Sequence, residues 1–454
     1  MTQNPSPILP LPPLACVVLA AGQGTRMKSD LPKVLHPVAG QPMIKHVLNA
    51  CAELSPASVV VVIGPQGQAI SELVAPHPCV IQPEPLGTGD AVKAARNELK
   101  DFQGDVIVLF GDGPLITADS LRALQARRQQ TLASVVVAGF TPKDPASYGR
   151  LILDKNGELV SIVETSEATP PQRAITLCNG GIMLFDAAIL WPMLDKLHND
   201  NAKKEYFLTE CVARAHRQGD KCVVASVTVE EVLGVNSRVE LAEAEAIMQR
   251  RLRQRAMLAG VTMTDPDTVF LCVDTVFGRD ITIGPNVVIG AGVSIGDKAD
   301  IRAFCHIERT RIEAGAVVGP FARLRPGTVV GAGAHVGNFV ELKNTELGKG
   351  AKVNHLSYIG DASVGERANI GAGTITCNYD GFRKSRTEIG AEAFIGSNSA
   401  LVAPVRIGDG AYVGAGSVIT NEVPANTLAV ARGRQSNIED WARRYREEQQ
   451  KDKK

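Results

Sequence analysis

A glycine-rich loop that follows an apolar run is the first segment of the chain with the residues for chemistry. The run Cys16–Ala21 leads into Gly22 and Gly24, and the cationic residues Arg26 and Lys33 follow. Such a loop lets backbone N–H groups approach phosphate oxygens, while the two side chains add positive charge. The third glycine of the dinucleotide fingerprint is missing, and the loop has no G-K-[ST] of a Walker A sequence. The segment predicts a phosphate-binding loop, although alone it is equally compatible with a structural turn.

Three later pieces strengthen the prediction of a nucleotide site. Gln82 precedes a second glycine-bearing turn, Leu86–Gly89, and Phe110-Gly111-Asp112 ends the apolar run V-I-V-L-F. Open α/β sheets place their ligands at the carboxyl ends of strands, where Asp112 can reach a divalent cation. The amide oxygen of Asn236, in Gly234-Val235-Asn236, is a second hard ligand. A lone Gly-Asp after a strand is more often a turn, so the prediction depends on these pieces occurring together.

The elements that position these residues alternate between strands and helices. Val- and Ile-rich runs alternate with helical stretches at Pro42–Leu54, Gly89–Leu99 and Asp119–Thr131. Apolar runs without polar alternation are typical of strands covered on both faces, which predicts an α/β domain with a mostly parallel sheet over residues 1–236. Residues 237–260 contain no proline and end in Gly260, which predicts a linker helix.

Residues 261–454 have a different pattern, an aliphatic residue about every six positions. The period persists, with a few five-residue steps, at Ile283, Ile289, Ile295, Ile301, Ile307, Ile312, Val318, Leu324, Val330, Val336, Leu342, Leu347, Val353, Ile359, Val364, Ile370, Thr376, Ile389, Ile395, Leu401, Ile407, Val413 and Ile419. A period of six predicts short strands joined by tight turns, so that 18 residues make one three-sided turn of a parallel β-helix. The aliphatic residue points into the prism, and 24 of the 43 glycines, between Gly278 and Gly416, mark its corners.

One segment interrupts this period. Between Thr376 and Ile389 the chain reads C-N-Y-D-G-F-R-K-S-R-T-E, without an aliphatic marker. We expect a polar and basic loop that leaves the coil, and such excursions usually carry function or contact a neighbour.

Composition excludes several classes of protein. The 454 residues carry 48 Lys+Arg against 48 Asp+Glu, which argues against a nucleic-acid partner. No apolar run is long enough to predict membrane insertion. The first residues lack a basic n-region and contain several prolines, which predicts a Pro-rich arm rather than a signal peptide. Nine scattered cysteines without a C-x-x-C pair indicate free thiols and a cytoplasmic location.

The motifs together resemble a known family over roughly Leu14 to Gln435. L-A-A-G-x-G-T-R-M with L-P-K, Q…L-G-T-G, F-G-D, C-N-G-G-I and G-V-N are similar to sugar-1-phosphate nucleotidyltransferases. The hexads resemble the left-handed β-helix of acyltransferases, and the left hand comes from that resemblance alone. Both halves in this order, with H-V-G-N-F-V-E-L-K, H-L-S-Y-I-G-D and N-I-G-A-G-T-I-T-C-N-Y-D-G, resemble the bacterial bifunctional N-acetylglucosamine-1-phosphate uridylyltransferases/glucosamine-1-phosphate N-acetyltransferases.

The resemblance implies an enzyme that makes UDP-N-acetylglucosamine for peptidoglycan and lipopolysaccharide. The 261–454 domain acetylates glucosamine 1-phosphate from acetyl-CoA, and the 1–236 domain transfers uridylyl from UTP to N-acetylglucosamine 1-phosphate and releases pyrophosphate. In the first domain it implies that Arg26 and Lys33 face the phosphates and that Asp112 and Asn236 hold Mg²⁺. The residues implied to contact UTP and the sugar nucleotide are Leu19, Ala20, Ala21, Gly22, Lys33, Gln82, Gly87, Thr88, Phe110, Gly111, Asp112, Gly149, Glu164, Asn179 and Asn236.

In the second domain the resemblance implies His355 as the general base, which suits a neutral imidazole near pH 7. Without the motif, a histidine packed on the coil would be the better interpretation. The sugar-phosphate pocket is implied to contain Arg325, Lys343, Tyr358, Asn369 and Lys384. Acetyl-CoA is implied to contact Ala372, Asn378, Tyr379, Ser397, Ala415 and Arg432. The extruded loop with Lys384 reaches an adjoining subunit in the family, which implies a homotrimer.

Two other functions stay open at this point. A sugar-nucleotide pyrophosphorylase can carry a β-helix that is only structural, but such a prism would not require His355, Asn378-Tyr379 and Lys384. A non-enzymatic trimeric scaffold would not require Lys33, Asp112 and Asn236. Phe110, Gly113 and Gly180 depart from the residues usual in the family, next to the proposed ligands, which bears on fine specificity more than on reaction class.

Overall fold

The computed structural model describes residues 11–145, 147–201 and 203–451, so most of the predicted Pro-rich arm lies outside the described residues. The chain divides into two compact units, with the boundary between Arg251 and Leu252. This boundary falls inside a long helix, Arg238–Leu258, where the sequence predicts the linker helix. The predicted domain limits at residues 236 and 260 stay a prediction.

The first unit is built on strands, five of which coincide with the predicted Val- and Ile-rich runs. The strands are β1 Leu14–Ala20, β2 Pro37–Val38, β3 Gln41–Pro42, β4 Ser58–Ile63, β5 Cys79–Ile81, β6 Asp105–Phe110, β7 Val135–Phe140, β8 Arg150–Leu153, β9 Leu159–Val163, β10 Cys178–Asp186 and β11 Cys222–Ser226. The five that coincide with the runs are β1, β4, β6, β7 and β11. The helices are α1 Met43–Ala52, α2 Gln68–Val74, α3 Thr88–Ala94, α4 Ala118–Thr131, α5 Pro170–Arg173, α6 Ala187–Leu194, α7 Glu210–Arg217 and α8 Arg238–Leu258, and 3-10 turns lie at Thr25–Met27, Lys33–Leu35 and Ala95–Leu99.

The main sheet has the strand order β11-β7-β10-β6-β1-β4-β5. The pairs β1–β4, β1–β6, β4–β5 and β7–β11 are parallel, as the apolar runs predict. The strand β10 lies antiparallel between β6 and β7, and the hairpin β8–β9 attaches to it. These antiparallel strands were not predicted, because their polar residues interrupt the apolar pattern.

Helices cover both faces of this sheet, so alternate residues of one strand enter different cores. In β1, Cys16 and Val18 pack with the core that contains α1, α2 and α4. Ala15 and Val17 pack with the core that contains α3, α6 and α7. This two-sided burial explains the continuous apolar run and leaves the carboxyl ends of β1 and β6 as the polar edge.

The second unit is a coil of very short strands. They are β12 Thr262–Met263, β13 Val276–Phe277, β14 Thr282–Ile283, β15 Val288–Ile289, β16 Ser294–Ile295, β17 Asp300–Ile301, β18 His306–Ile307, β19 Thr310–Ile312, β20 Val317–Val318, β21 Arg323–Leu324, β22 Thr328–Val330, β23 His335–Asn338, β24 Glu341–Leu347, β25 Lys352–His355, β26 Tyr358–Val364, β27 Asn369–Ile370, β28 Ile375–Cys377, β29 Thr387–Ile389, β30 Phe394–Ile395, β31 Ala400–Val402, β32 Val405–Ile407, β33 Tyr412–Val413, β34 Val418–Ile419 and β35 Leu428–Ala429. A 3-10 turn lies at Pro266–Thr268, and helix α9 spans Trp441–Lys451.

Strand pairing confirms the predicted parallel coil. Ile283 pairs in parallel with Ile301, and Ile289 with Ile307, each 18 positions on. The predicted aliphatic series points inward, and its members from Ile283 to Ile419 are all buried. The left hand of the coil stays an implication of the resemblance.

The extruded loop is also where the period predicts it. Val364 pairs with Ile389, 25 positions on instead of 18, so this turn contains seven additional residues. They form a small excursion between β28 and β29, closed by a bridge between Tyr379 and Lys384.

Many coil glycines are explained by close approach between stacked turns as well as by corners. A Cβ on Gly296 would lie 2.8 Å from the backbone nitrogen of Ala314 on the next turn. Several corners instead hold side chains at positive φ, including Phe304, Phe321, Phe339 and Leu356. The corners of this coil therefore accept large side chains as well as glycine. Within the described ranges, no helix is long and apolar enough to cross a membrane.

Candidate active sites

The glycine-rich loop leaves the carboxyl end of β1 and turns into the 3-10 helix Thr25–Met27. Gly24 has φ 64°, and a Cβ there would lie 2.6 Å from the Cβ of Lys33. Glycine is required at this position because of both the backbone conformation and the contact. The local sequence thus brings Arg26 and Lys33 to the same edge as the end of β1.

Lys33 joins the two residues predicted to hold a metal ion. Its Nζ makes an ion pair with Asp112 and donates a hydrogen bond of 2.9 Å to Oδ1 of Asn236. The loop of Asp112 and the loop of Asn236 are tied together because the N–H of Val235 donates to the carbonyl of Asp112 at 2.9 Å. A carboxylate and an amide oxygen therefore converge on one point at the sheet edge.

A cavity of about 500 Å³ opens beside this point. Its lining includes nine residues with polar side chains or aromatic rings, Arg26, Phe110, Asp112, Ser147, Tyr148, Asn179, Glu231, Asn236 and Glu240. Gly181, at φ 81°, lies against the ring of Phe110, where a Cβ would come within 2.9 Å of a ring carbon. The cavity is large enough for part of a nucleotide or a sugar phosphate.

Gln82, Gly87 and Thr88 form a second group, at the end of β5 and the start of α3. The Gln82 side chain is buried and donates to the Gly87 carbonyl at 3.1 Å and to Asp90 at 2.8 Å. Thr88 accepts a hydrogen bond of 3.1 Å from the N–H of Leu208. These three residues are not part of the cavity lining with Asp112; Gln82 follows β5, whereas Asp112 follows β6.

Gly149, Glu164 and Asn179 meet at the base of the β8–β9 hairpin. The N–H of Asn179 donates to the Gly149 carbonyl at 2.8 Å, and a Cβ on Gly149 would lie 3.6 Å from Oε1 of Glu164. Burial raises the pKa of Glu164, and the charge of Lys203 opposes this shift. The structure therefore brings together three of the residues that the resemblance implies to contact UTP and the sugar nucleotide.

In the second unit, a cationic cluster lies on the face formed by β21, β24 and β26. Arg325 donates to Glu341 at 2.8 Å, and Arg323 lies 3.8 Å from the same carboxylate. In register, Glu341 pairs with Tyr358 and Lys343 pairs with Gly360. The predicted residues Arg325, Lys343 and Tyr358 are thus stacked on consecutive turns.

Lys384, from the extruded loop, joins this cluster in the same chain. The neighbouring ammonium of Lys343 lowers the pKa of Lys384, and Asp361 opposes the shift. Asp361 accepts hydrogen bonds from Asn344 at 2.8 Å and from Asn378 at 2.5 Å. Burial would raise the pKa of Asp361, but these hydrogen bonds outweigh it, and the pKa is lowered. Two ammonium groups at one place form a candidate site for a phosphate.

His355 ends strand β25, opposite Asn338 at the end of β23. Its Nδ1 lies 2.8 Å from Oδ1 of Asn338. Asn369, also predicted in this pocket, lies on the neighbouring strand β27, where it pairs with Lys352 and Phe394. The imidazole itself is exposed.

Four of the six residues predicted to contact acetyl-CoA, Ala372, Ser397, Ala415 and Arg432, follow one corner of the coil. The N–H of Asn398 donates to the carbonyl of Ala372, and the N–H of Gly416 donates to the carbonyl of Ser397. Arg432 donates to the carbonyl of Ala415 at 2.7 Å. Tyr379 is 60% exposed on the extruded loop, whereas Asn378 is buried against Asp361.

Sequence reasoning did not single out Asn338, Glu341, Asp361 and Glu231. The first three lie in or beside motifs that were recognised, so their polar side chains were a usable signal. The buried carboxylate of Glu231 accepts hydrogen bonds from Thr117, Ser120 and Thr228 at the cavity wall. It is the second residue of a Glu-Glu pair in an ordinary loop, and its hydrogen bonds to Thr117 and Ser120 join residues more than 100 positions apart.

Comparison with known proteins places both units in known families of domains. The MobA-like NTP transferase domain matches residues 16–203. The bacterial transferase hexapeptide model of six repeats matches residues 309–344 and 386–421, and the hexapeptide repeat of succinyl-transferase matches residues 277–303.

Relatives match over nearly the whole length of the chain. The bifunctional protein GlmU of Paramagnetospirillum magneticum is 55% identical over 437 residues, which cover 96% of this chain and 97% of the relative. The chain belongs to the bifunctional GlmU family. Two other relatives match to a similar extent. The GlmU protein of Sphingopyxis alaskensis is 51% identical over 97% of this chain and 98% of the relative. The GlmU protein of Azorhizobium caulinodans is 52% identical over 94% of this chain and 96% of the relative. In this GlmU family member the transferase match lies in the first unit and the hexapeptide matches lie in the second.

Proposed function

We propose that the chain makes UDP-N-acetylglucosamine in two reactions, one in each unit. The second unit, with residues 261–454 as its functional domain, transfers an acetyl group from acetyl-CoA to glucosamine 1-phosphate. The first, with residues 1–236, transfers uridylyl from UTP to N-acetylglucosamine 1-phosphate. The observation that carries this proposal is the presence of two separate polar constellations, Lys33–Asp112–Asn236 and His355–Asn338, in one family member.

In uridylyl transfer, the phosphate oxygen of the sugar attacks the α-phosphorus of UTP and pyrophosphate leaves. Proteins catalyse this reaction mostly by positioning and by neutralising charge. Arg26 and Lys33 are the cations proposed to face the phosphates. Phe110, the backbone of residues 19–22 and 111, and the side chains of Gln82, Thr88, Glu164 and Asn179 are proposed to hold the nucleotide and the sugar.

Asp112 and Asn236 are the proposed ligands of Mg²⁺. Their oxygens are hard ligands of the type that Mg²⁺ prefers, and both already converge on the positive charge of Lys33. A bound Mg²⁺ would neutralise phosphate charge at this edge. The donor set therefore fits the ion.

In acetyl transfer, Nε2 of His355 is proposed to take a proton from the amine of glucosamine 1-phosphate. This proton leaves the nitrogen of the neutral amine as the amine attacks the thioester carbonyl; the C–S bond then breaks, and the imidazolium gives the proton to the coenzyme A thiolate. Arg325, Lys343 and Lys384 are proposed to bind the sugar phosphate with Tyr358 and Asn369. Ala372, Asn378, Tyr379, Ser397, Ala415 and Arg432 are proposed to hold acetyl-CoA.

We also propose a cytoplasmic homotrimer. Nine cysteines without a disulfide support a reducing compartment. An exposed column of Phe304, Phe321, Phe339 and Leu356, with stacked phenylalanine rings 4.8 and 5.1 Å apart, supports association of the coils through an apolar surface.

The test is to incubate the protein with glucosamine 1-phosphate, acetyl-CoA, UTP and Mg²⁺ and to omit each in turn. With glucosamine 1-phosphate as the sugar substrate, we expect UDP-N-acetylglucosamine only in the complete mixture. With N-acetylglucosamine 1-phosphate as the sugar substrate, we expect the same product from UTP and Mg²⁺ without acetyl-CoA. If the product forms from N-acetylglucosamine 1-phosphate but not from glucosamine 1-phosphate with acetyl-CoA, the protein is a monofunctional pyrophosphorylase with a structural coil. Absence of both reactions in a folded protein would refute the proposal and favour a scaffold.

A further inference from the structure

The ring of His355 is held by a neutral side chain on the preceding turn of the coil. Asn338 and His355 are register partners in the parallel strands β23 and β25, so both side chains leave the same face of the sheet. The distance from Nδ1 of His355 to Oδ1 of Asn338 is 2.8 Å. Asn338 is half-buried, whereas the imidazole is exposed, so the amide is the better fixed of the two groups.

The backbone brings the two residues close. A Cβ on Gly337 would lie 1.9 Å from the carbonyl oxygen of Asn354, so β23 and β25 approach here more tightly than any side chain at residue 337 permits. The backbone of His355 is tied in turn, because its carbonyl accepts hydrogen bonds from Ser357 at 2.8 Å and from the N–H of Gly373 at 3.2 Å. The remaining freedom of the histidine is rotation of its side chain.

An amide oxygen accepts a hydrogen bond and cannot donate one, so this contact requires a proton on Nδ1. In a neutral imidazole, the lone pair is then on Nε2. The contact thus selects both the tautomer and the direction in which the basic nitrogen points. An amide adds no charge, whereas a carboxylate at the same place would favour the protonated ring.

We propose that Asn338 is a positioning residue for acetyl transfer, which holds His355 with Nδ1 protonated and Nε2 directed at the amine of the sugar. This inference rests on the proposed function of the second unit. The other ionisable groups on these two strands are His335 and Lys352, which pair with each other in register. The adjoining strand β27, Asn369–Ile370, carries no ionisable side chain, and Tyr358 follows the corner after His355.

The test compares Asn338→Ala with Asn338→Asp in the full-length protein. We expect Asn338→Ala to lower kcat for acetyl transfer by about 10- to 100-fold, because the base loses its orientation. Asn338→Asp still accepts from Nδ1 but adds a negative charge. We expect it to retain activity at high pH, with the acidic limb of the kcat/KM profile moved up by about one pH unit.

Histidine labelled with ¹⁵N reports the tautomer directly, with His355→Gln to assign the signal. The wild-type protein and Asn338→Asp are expected to show Nδ1–H, and Asn338→Ala a mixture of tautomers. Asn354→Ala, which removes the amide next to His355 along the chain, is the matched control and should retain wild-type acetyl transfer. Uridylyl transfer by the same samples shows only that the first unit is folded, because the substitutions lie in the second unit. Wild-type ¹⁵N signals of the other coil histidines, His306 and His335, show that the second unit is folded in each variant.

The outcomes separate this inference from the proposed function. If His355→Ala keeps acetyl transfer, the assignment of the base is wrong, and the proposed function of this site fails with it. If His355→Ala is inactive while Asn338→Ala keeps wild-type kcat and tautomer, only the positioning role is overturned. Equal losses in Asn338→Ala and Asn338→Asp, without a shifted acidic limb, would also overturn it, because that result indicates a purely structural residue.

Discussion

The ammonium of Lys33 lies 2.9 Å from the amide oxygen of Asn236, although 203 positions separate the two residues in the chain. The same ammonium is paired with Asp112 at the end of β6. Residues from three distant loops therefore share one positive charge at the edge of the sheet. The oxygens of Asp112 and Asn236 suit a divalent cation, and the ammonium of Lys33 suits a triphosphate. The predictions below concern this site and the site in the second unit.

Asp112→Ala should lower uridylyl transfer by at least about 100-fold, because the carboxylate proposed to hold Mg²⁺ is lost. Acetyl transfer by the same protein should stay at the wild-type level. The two reactions are measured separately, with N-acetylglucosamine 1-phosphate and with glucosamine 1-phosphate as substrates. Full Mg²⁺-dependent uridylyl transfer in this variant would refute the metal assignment.

His355→Ala should have the opposite effect. Removal of the general base is expected to lower acetyl transfer by about 100- to 10,000-fold, while uridylyl transfer is retained. Asp112→Ala serves as the reciprocal control. Loss of both activities in a folded His355→Ala protein would contradict the division of the two reactions between the units.

Glu231→Ala should loosen the loops around the cavity. The buried carboxylate accepts from Thr117 at 2.5 Å, from Ser120 at 2.7 Å and from Thr228 at 2.8 Å. Burial alone would raise the pKa of Glu231, but these hydrogen bonds outweigh it, and the pKa is lowered. We expect the variant to lose about 2–3 kcal/mol of stability in the first unit, because four donors, the three hydroxyls and the N–H of Thr228, are left unpaired.

The lowered pKa also gives this effect a pH dependence. The stabilisation by Glu231 is present above the unfolded-state pKa and is lost as the pH falls through the lower folded-state value. Urea unfolding followed by the fluorescence of Trp191, in a Trp441→Phe background, measures the first unit. Ser120→Ala, which removes one of the donors and leaves the N-cap of α4 at Thr117, should cost less than Glu231→Ala; an equal or larger cost would contradict a central role for the carboxylate.

Asp105 should make the first unit less stable as the pH rises. Its carboxylate is 1% exposed at the start of β6, next to Arg128 at 2.9 Å. Burial raises the pKa of Asp105 to about 6, the charge of Arg128 opposes the shift, and that of Asp186 adds to it. Because the folded state binds this proton more tightly than the unfolded state, its contribution to the free energy of unfolding is complete below pH ~4 and decreases towards pH ~6.

Asp105→Asn should remove this dependence, which amounts to at most about 2–3 kcal/mol. The measurement is the free energy of unfolding of the first unit between pH 4 and pH 7.5, with the same Trp191 signal. The stability difference between wild type and variant is expected to change across this range and to level off above pH ~7. A constant difference would show that Asp105 has a similar pKa in the folded and unfolded states.

Much of this protein is determined by local sequence. A six-residue period defines the coil because each side of the prism repeats the same contact, an inward aliphatic residue stacked on another one turn away, as in Ile283 and Ile301. The continuous apolar runs in β1 and β6 predict a sheet covered on both faces, because alternate residues of one strand enter different cores. Residue types and spacing indicated Asp112 and Asn236 as candidate metal ligands, whereas the prediction of His355 came from the resemblance of its motif to the family.

Only the tertiary structure decided which side chains meet and what orients them. The antiparallel strand β10 lies between β6 and β7, and nothing in the apolar pattern of these two strands predicts it. Glu231 makes its hydrogen bonds only because the chain returns to Thr117 at the start of α4. The partner of His355 is Asn338 because seventeen residues make one turn of the coil at this point and Gly337 lets the two strands approach. Periodicity reports which residues are buried, but contacts between polar side chains depend on register and loop closure, which are set by the packing of the whole unit.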